Sequence, residues 1–339
     1  MVLSMATKIK FRCGFSDFCI KRNFSNFALI LKLIKSAQIH KICVIPINRN
    51  KSSVLFNKKM KILKTKSELQ TEIAQLKSAG KTIGFVPTMG ALHAGHIALV
   101  KRAVAETDCC IASIFVNPTQ FNNPADLEKY PRNLENDAKL LQEAGCALIF
   151  APETDEMYDE NEINTAFEFD FGGLDRVMEG KFRPRHFNGV VQVVSKLFDL
   201  VQPDKAYFGE KDFQQLAVIR RMVKVLKYPV EIVDCPTLRE PSGLAMSSRN
   251  ERLSEEERKK ASKISEILFE SRNFAPAKPP SEIIEWVTAE IGREKALKLE
   301  YFDIVDASTL QSIENWNDNC IGCIAVFCGD VRLIDNIKY

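Results

Sequence analysis

The feature that most constrains the fold is a strand–turn–helix pattern in residues 82–106, TIGFVPTMGALHAGHIALVKRAVAE. Its apolar start predicts a strand at residues 82–86, and the periodic residues from Gly95 predict an amphipathic helix up to Thr107. Between them, His93 and His96 stand three residues apart, which places both rings on one face of the first helical turn. Unpaired N–H groups and the positive end of the helix dipole lie there and attract phosphate. The pattern therefore predicts an anion-binding junction between a strand and a helix.

Apolar strands and amphipathic helices continue to alternate on both sides of this junction. We predict helices at residues 67–79 (with Ser67 as the N-cap), 134–144, 187–201 and 213–226, and strands at residues 109–116, 147–151, 206–208 and 230–235. Residues 117–131 form a polar loop, and residues 155–180 are acidic and irregular. Strand–helix–strand units pair in parallel through right-handed crossovers. The alternation predicts an α/β fold with a doubly wound parallel sheet.

The sequence changes character after Pro236, where we place a domain boundary. A loop leads to a charged helix at residues 254–271, a proline-rich break at residues 275–280 and a helix around residues 281–291. Strands near residues 301–305 and 321–327 close the chain. We therefore predict a first domain at residues 60–236 and a second, smaller α+β domain at residues 237–339.

A basic leader occupies residues 1–59. Residues 1–67 hold fifteen Lys and Arg and one acid, whereas the rest of the chain holds 32 basic and 43 acidic residues. The overall charge of +3 thus belongs to the N-terminus, and we predict no nucleic-acid surface on the folded body. The leader has the composition of an organellar transit peptide. We favour the other interpretation, an extension upstream of a native start at Met60, which predicts a cytoplasmic protein.

Cysteine usage and hydropathy set further bounds. The ten cysteines lack the spacing of a secreted disulfide framework, which predicts a reduced intracellular protein. Cys320, Cys323 and Cys328 lie in an apolar strand and are predicted core residues. No stretch reaches the roughly 20 apolar residues that a membrane-spanning helix needs.

The histidine pair leaves three interpretations: phosphate contact, metal binding or an inert turn. Metal binding by histidines at this spacing usually recruits a nearby carboxylate or cysteine, and the flanking residues here are Ala, Gly and Leu. Other nucleotide motifs fail, because Gln75 stands where a P-loop needs its first glycine and no GxGxxG follows a strand. These observations favour phosphate contact.

Polar side chains also follow other predicted strands. They are Asn117 and Gln120, the run Gly209, Glu210, Lys211 and Asp212 with Gln215 one turn on, Ser247, Ser248 and Arg249 past the domain boundary, and the basic group Arg183, Arg185 and His186. Open α/β sheets bind ligands at the carboxyl ends of their strands. The amides suit a small polar substrate, and two cations, Lys211 and Arg249, suit a triphosphate. We predict a site between the two domains.

Five ordered motifs carry a family resemblance: PTMGALHAGH, FVNPTQF with YPR, RPRHFNGV, FGEKDFQQL and PTLREPSGLAMSSRN. From about Met60 to Tyr339 the chain resembles the pantothenate synthetase (pantoate–β-alanine ligase) family of HIGH-type nucleotidyltransferases. The resemblance implies a Rossmann-like domain that binds ATP and pantoate, with a C-terminal domain that closes over the active site. It implies condensation of (R)-pantoate with β-alanine by a homodimer, using ATP and Mg²⁺. Pantoyl adenylate would be the intermediate, and AMP and pyrophosphate the by-products.

The resemblance also implies residue roles. ATP contacts fall on Met89, Gly90, Ala91, Leu92, His93, Ala94, Gly95, His96, Gly209, Glu210, Lys211, Asp212, Leu238, Met246, Ser247, Ser248 and Arg249. Gln120 and Gln215 would contact pantoate, with Gln120 also beside β-alanine and Asn117 near both. His96 would be the general acid, and His93, Lys211 and Arg249 would join it in neutralising phosphate charge. Asp137 falls where the family has a carboxylate near the metal.

Two other functions remain open at this point. Another HxGH nucleotidyltransferase would transfer AMP or CMP to a phosphate ester and would not need β-alanine. A non-catalytic nucleotide-binding module, with the leader as a nucleic-acid arm, would bind RNA or DNA in a salt-sensitive way.

Overall fold

The structure, a computed structural model, describes residues 10–13, 16–19, 60–165 and 167–339. Two short strands near the N-terminus, β1 (Lys10–Cys13) and β2 (Ser16–Cys19), pair antiparallel. Most of the predicted leader lies outside the described residues. All further elements belong to a separate unit that spans residues 58–339.

A six-stranded parallel sheet forms the centre of that unit. Its strands are β3 (Lys61–Leu63), β4 (Ile83–Thr88), β5 (Cys109–Ile114), β6 (Leu148–Phe150), β7 (Lys205–Gly209) and β8 (Glu231–Cys235). They lie in the order β3-β6-β5-β4-β7-β8, and every neighbouring pair is parallel. The order reverses between β4 and β7, and in open α/β sheets such a reversal creates the crevice that holds ligands.

Eleven α-helices belong to the described residues. They are α1 (Lys66–Ser78), α2 (Ala94–Glu106), α3 (Pro124–Glu128), α4 (Leu134–Glu143), α5 (Thr154–Met157), α6 (Glu160–Asn164), α7 (Met178–Phe182), α8 (His186–Val201), α9 (Phe213–Leu226), α10 (Glu255–Ser271) and α11 (Pro280–Arg293). Short 3₁₀ helices lie at Pro118–Gln120, Glu210–Asp212, Ser248–Arg252 and Arg272–Phe274. The polar loop and the acidic segment thus contain short helices that the sequence pattern did not predict.

Helices cover both faces of the parallel sheet. In β4, Ile83 and Phe85 pack with α1, α8 and α9, whereas Val86 points to the other face and packs with α2 and α4. All three side chains have no exposed surface. Strand residues alternate between the two faces, so a strand buried on both sides is apolar throughout. This arrangement confirms the predicted doubly wound α/β fold.

The first helix begins earlier than predicted. Thr65, not Ser67, is the N-cap of α1, because its hydroxyl accepts the Glu68 N–H at 3.2 Å. The Glu68 carboxylate in turn accepts the Thr65 N–H at 3.1 Å and completes a capping box. Thr65 and Ser67 are both residue types that cap helices. The carboxylate of Glu68, at the third helical position after Thr65, decides for Thr65.

A three-stranded antiparallel sheet follows the parallel one. Its strands are β9 (Leu297–Asp306), β10 (Cys320–Cys328) and β11 (Val331–Lys338), in the order β11-β10-β9. Ile324 and Val326 of β10 pack with α10 and α11, whereas Ile321 and Cys323 join the core of the first sheet. The small second sheet confirms the predicted α+β architecture of the C-terminal region.

The seven cysteines of residues 60–339 are all free and buried. Cys320, Cys323 and Cys328 are core residues of β10, as predicted. None of the helices in the described ranges combines the length and the apolar character that crossing a membrane requires.

Candidate active site

A cavity of about 230 Å³ opens where the strand order of the parallel sheet reverses. Met89, directly after β4, and Lys211, two residues after the end of β7, both line it. Arg249 lines it from the C-terminal region, and Tyr301 and Asn336 line it from the second sheet. The topology thus brings both predicted domains to one site.

The loop after β4 is braced from behind by Asp137 of α4. One carboxylate oxygen accepts the Ala91 N–H at 2.9 Å, and the other accepts the Leu92 N–H at 2.8 Å. Gly90 has a φ of 81°, and a Cβ there would lie 2.9 Å from the Asp137 carboxylate. Only glycine therefore suits this position without strain.

This placement bears on the predicted metal role of Asp137. The side chain is 1% exposed and is not part of the cavity lining. Burial raises the pKa of Asp137, although the two N–H groups oppose that rise. Within the described residues, no three His, Cys, Asp or Glu side chains form a group suited to a metal ion. The metal role stays a prediction, and the observed contacts are those of a loop brace.

The two histidines close the start of α2 with their own rings. Nδ1 of His93, the N-cap, accepts the Gly95 N–H at 3.1 Å, and Nδ1 of His96 accepts the His93 N–H at 3.4 Å. A ring nitrogen that accepts carries no proton, so the proton of each neutral ring lies on Nε2. The ring centroids are 4.1 Å apart. The pair therefore presents two neutral N–H donors at the cavity wall.

Both histidines are neutral at physiological pH. The pKa of His93 is lowered to about 4, mainly by burial and to a smaller extent by the charge of Lys211. Burial also lowers the pKa of His96 to about 3, with a contribution from His93. A bound polyanion would favour the protonated rings and raise both pKa values. In the cavity as described, the histidines are hydrogen-bond donors without charge.

Lys211 supplies a fixed positive charge opposite the histidines. Its Nζ lies 3.0 Å from Oδ1 of Asp212. Burial opposes ionisation of Asp212, but the Lys211 ammonium outweighs it and lowers the pKa of the carboxyl. The Lys211 side chain is 17% exposed and that of Asp212 is 43% exposed, so the lysine is the more buried of the two side chains.

Three hydrogen bonds join the C-terminal region to the histidine loop and to α3. The Ser248 hydroxyl donates to the Ala91 carbonyl at 2.9 Å. Arg249 donates to Asp126 of α3 at 2.9 Å, and Arg252 donates to the other oxygen of that carboxylate at 3.1 Å. Together they connect the segment after the predicted domain boundary with the histidine loop and with α3.

The predicted amide residues Asn117 and Gln120 are held by contacts with α8. Nδ2 of Asn117 donates to Oε1 of Gln120 at 3.1 Å and to the Gly189 carbonyl at 3.0 Å. A Cβ on Gly189 would lie 2.5 Å from the Thr119 carbonyl, so glycine allows this close approach. Nδ1–H of His186 donates to the Gln120 carbonyl at 2.8 Å, and burial lowers the pKa of His186 to about 3. Asn117 and His186 thus fix Gln120 in place.

A buried ion network beside the cavity was not predicted. Arg332 of β11 holds both oxygens of Glu179 at 2.8 and 2.7 Å, and the Tyr301 hydroxyl of β9 donates to the same carboxylate at 2.9 Å. Arg183 approaches it at 3.4 Å. Burial opposes ionisation, yet Arg332 lowers the pKa of Glu179 to about 2. Arg183 in the RPRHFNGV motif was the sequence signal that pointed to this region.

The predicted site residues divide into two groups. The cavity lining includes Met89, His93, His96, Asn117, Gln120, Gly209, Lys211, Asp212, Gln215, Ser247, Ser248 and Arg249. Outside it lie Gly90, Ala91, Leu92, Ala94, Gly95, Glu210, Leu238, Met246 and Asp137. Leu238 is 41% exposed, and its carbonyl accepts the Met246 N–H at 3.0 Å. The second group shapes the main chain that carries the first.

The chain is similar to known proteins over most of its length. A family model described as Pantoate-beta-alanine ligase matches residues 61–338. The pantothenate synthetase of Bacteroides fragilis is 57% identical over 282 residues, which are 83% of this chain and 99% of that protein.

Solved structures agree with this match. The pantothenate synthetase of Thermus thermophilus has a TM-score of 0.77 at 44% identity and covers 82% of this chain and 99% of its own. The pantoate-beta-alanine ligase of Francisella tularensis, complexed with beta-gamma ATP and beta-alanine, has a TM-score of 0.69 at 37% identity, with 82% and 97% covered. The family model, the relatives and the fold therefore lead to one conclusion: this chain belongs to the pantoate–β-alanine ligase family.

Proposed function

We propose that the cavity catalyses the reaction of its family, the ATP-dependent condensation of (R)-pantoate with β-alanine to pantothenate. One observation carries this proposal: His93, His96, Lys211 and Arg249 line the same cavity, although they come from three separate parts of the chain. Neutral amides of Gln120 and Gln215 line it as well. Cations and N–H donors suit a triphosphate, and amides suit the hydroxyls of pantoate.

The first step forms pantoyl adenylate. A carboxylate oxygen of pantoate attacks the α-phosphorus of ATP, the bond from that phosphorus to the bridging oxygen breaks, and pyrophosphate leaves. Such a step depends mainly on in-line positioning and on stabilising charge on the phosphate oxygens. We assign the fixed charge to Lys211 and Arg249 and the neutral Nε2–H donors to His93 and His96. Arg249 would exchange its Asp126 partner for phosphate.

The second step forms the amide. The amine of β-alanine attacks the acyl carbon of pantoyl adenylate, the bond to the AMP oxygen breaks, and the nitrogen loses a proton. AMP is a good leaving group, which the free carboxylate of pantoate lacks. Gln120 and Gln215 would hold the pantoyl group through neutral hydrogen bonds during both steps. His186 holds the Gln120 main chain, and Nδ2 of Asn117 holds its side chain by donating to Oε1.

We infer that Mg²⁺ enters with the phosphates of ATP. Mg²⁺ usually keeps several waters and binds through phosphates with one or two carboxylates. Asp212 lines the cavity with a side chain that is 43% exposed and suits such a role, whereas both oxygens of Glu179 are held by Arg332. When bound, the ion would neutralise part of the charge on the triphosphate.

The test is a measurement of AMP formation with purified protein. AMP should appear only when ATP, pantoate and β-alanine are all present, with one pantothenate for each AMP. Pyrophosphate release without AMP, upon addition of a phosphate ester, would instead identify a nucleotidyltransferase of the other HxGH type and overturn the proposal.

The homodimer and the compartment stay predictions. Sedimentation velocity of the purified chain checks the homodimer. N-terminal sequencing of the native protein checks the compartment. A start at Met60 agrees with a cytoplasmic enzyme, and a cleaved longer precursor agrees with organellar import.

A further inference from the structure

We propose that Asn336 is a positioning residue for Lys211, which it orients through the main chain of the turn after β7. Asn336 belongs to β11, in the second sheet, and lines the cavity. The inference rests on the proposed function, since it assigns to Asn336 an effect on the adenylation step.

The contact is a double one. Nδ2 of Asn336 donates to the Glu210 carbonyl at 2.8 Å and to the Lys211 carbonyl at 3.0 Å. A single amide nitrogen has two N–H donors, so both are used on two consecutive carbonyls. The residue is 8% exposed, which shields these hydrogen bonds from water. The amide thereby fixes the direction of the main chain on both sides of the Lys211 side chain.

The turn has no side-chain cap of its own. Neither the 3₁₀ helix Glu210–Asp212 nor the start of α9 is closed by a capping side chain. Gly209, which precedes the turn, adds conformational freedom because it lacks a Cβ. The main chain of the turn therefore depends on contacts from outside the turn for its direction, and Asn336 provides them.

Asn336 is itself held firmly. Its main-chain N–H donates to Oδ1 of Asp335 at 2.8 Å. Asp335 is 5% exposed and accepts two hydrogen bonds from Arg239, at 2.6 and 2.9 Å. Bidentate arginine–carboxylate pairs fix geometry as well as charge. The second sheet is thus a rigid support from which the lysine turn is positioned.

The consequence concerns one half of the reaction. Lys211 would neutralise phosphate charge as pyrophosphate leaves, and it has no comparable task when β-alanine displaces AMP. A displacement of about 1 Å in such a group can lower a rate by about 100-fold. Loss of the Asn336 amide should therefore slow adenylation and leave amide formation nearly unchanged.

The experiment compares Asn336→Ala and Asn336→Asp with the wild-type chain in two assays. The first is pantoate-dependent exchange of labelled pyrophosphate into ATP, and the second is the reaction of separately supplied pantoyl adenylate with β-alanine. We expect exchange to fall about 10- to 100-fold and the second reaction to change by less than about two-fold.

Lys338→Gln is the matched control on the same strand. Lys338 forms an exposed ion pair with the Glu210 side chain at 2.6 Å and does not contact the main chain of the turn. Exposed pairs contribute little, so both assays should stay within about two-fold of wild type. A loss in the control equal to that in Asn336→Ala would overturn the role of the amide.

A double-mutant cycle separates positioning from general stability. In a Lys211→Ala background, Asn336→Ala should cause little further loss of exchange, because the group that it positions is gone. Losses that multiply, or equal losses in both assays, would overturn the inference. Wild-type chain without pantoate-dependent exchange would overturn the proposed function itself. If the wild-type chain shows exchange and Asn336→Ala shows the same rate, only the role of Asn336 is overturned.

Discussion

The two walls of the cavity are built in different ways, although each follows a strand of the same sheet. The histidine loop after β4 is held by the rings of His93 and His96 and by the carboxylate of Asp137 on α4. The lysine turn after β7 has no cap of its own and is held by Asn336 of the second sheet. The histidine loop is therefore held mainly by contacts within residues 60–236, with one hydrogen bond from Ser248, whereas the main chain of the lysine turn is held by the C-terminal sheet.

Lys211→Ala breaks the lysine wall and should have the largest effect. Loss of one preorganised charge donor typically costs about 10²–10³ in rate. Pyrophosphate exchange should fall by that factor, while the thermal unfolding midpoint stays near wild type because Lys211 is at the cavity surface. Lys205→Ala, at the other end of β7, is the control and should keep full exchange. Near-normal exchange in Lys211→Ala would contradict the assignment.

His93→Asn tests whether the histidine wall combines two tasks. Asparagine is a good N-cap, so the free energy of unfolding should stay within about 0.5 kcal/mol of wild type. The Nε2–H donor is lost, and we expect exchange to fall about 100-fold. His93→Ala should lose a similar rate and, in addition, about 1 kcal/mol of stability. If His93→Asn keeps its rate, the ring serves only the helix.

Asp137→Asn distinguishes a loop brace from a metal ligand. The amide can accept only one of the two N–H groups, so we expect the free energy of unfolding to fall by about 1–3 kcal/mol. The activity should fall while the Mg²⁺ concentration for half-maximal rate stays unchanged. A clear rise in that concentration, with normal stability, would support the predicted metal role.

The smallest effect concerns pH and stability. The pKa values of His93 and His96, about 4 and about 3, lie below the usual value of 6.5 in an unfolded chain. Below pH 6.5 these histidines bind protons in the unfolded chain but stay neutral in the folded one. The free energy of unfolding therefore decreases as the pH falls towards 4. Each histidine contributes at most about 1.4 kcal/mol per pH unit, less where water reaches the ring.

Urea unfolding of wild type and His96→Gln at pH 7 and pH 5 measures this contribution. The variant should lose less stability than wild type between the two values. Equal losses would mean that His96 is protonated in the folded protein. Glu179, with a pKa of about 2, should add its own loss only below the usual carboxyl range.

Local patterns predicted the histidine wall well. The strand, the turn and α2 lie within one continuous stretch, and their hydrophobic period is clear. The brace behind the turn could not be predicted in this way, and the family resemblance placed a metal role on Asp137. Its observed contacts are main-chain N–H groups 45 and 46 residues away, which no side-chain pattern reveals.

The lysine wall could be predicted only in part. The run from Gly209 to Asp212 was found, but β11 was missed because Arg332, Asp335 and Asn336 interrupt its apolar pattern. These polar residues face a neighbour instead of solvent, and Arg332 pairs with Glu179 across 153 residues. Likewise β3 has three residues, too few for a period. Contacts between distant segments decide both cases.

The histidine cap has one further consequence, which concerns the choice of residue at the start of α2. Serine, threonine, asparagine and aspartate are the preferred caps of a helix. Aspartate would repel a triphosphate at close range. In serine, threonine or asparagine the side-chain oxygen would accept a helix N–H, and the short side chain would not reach an anion outside the helix. An imidazole has two nitrogens, separated by one carbon of a rigid ring, that point in different directions. One nitrogen of His93 ends the helix while the other stays available to an anion, so the same ring removes the conflict between folding and binding.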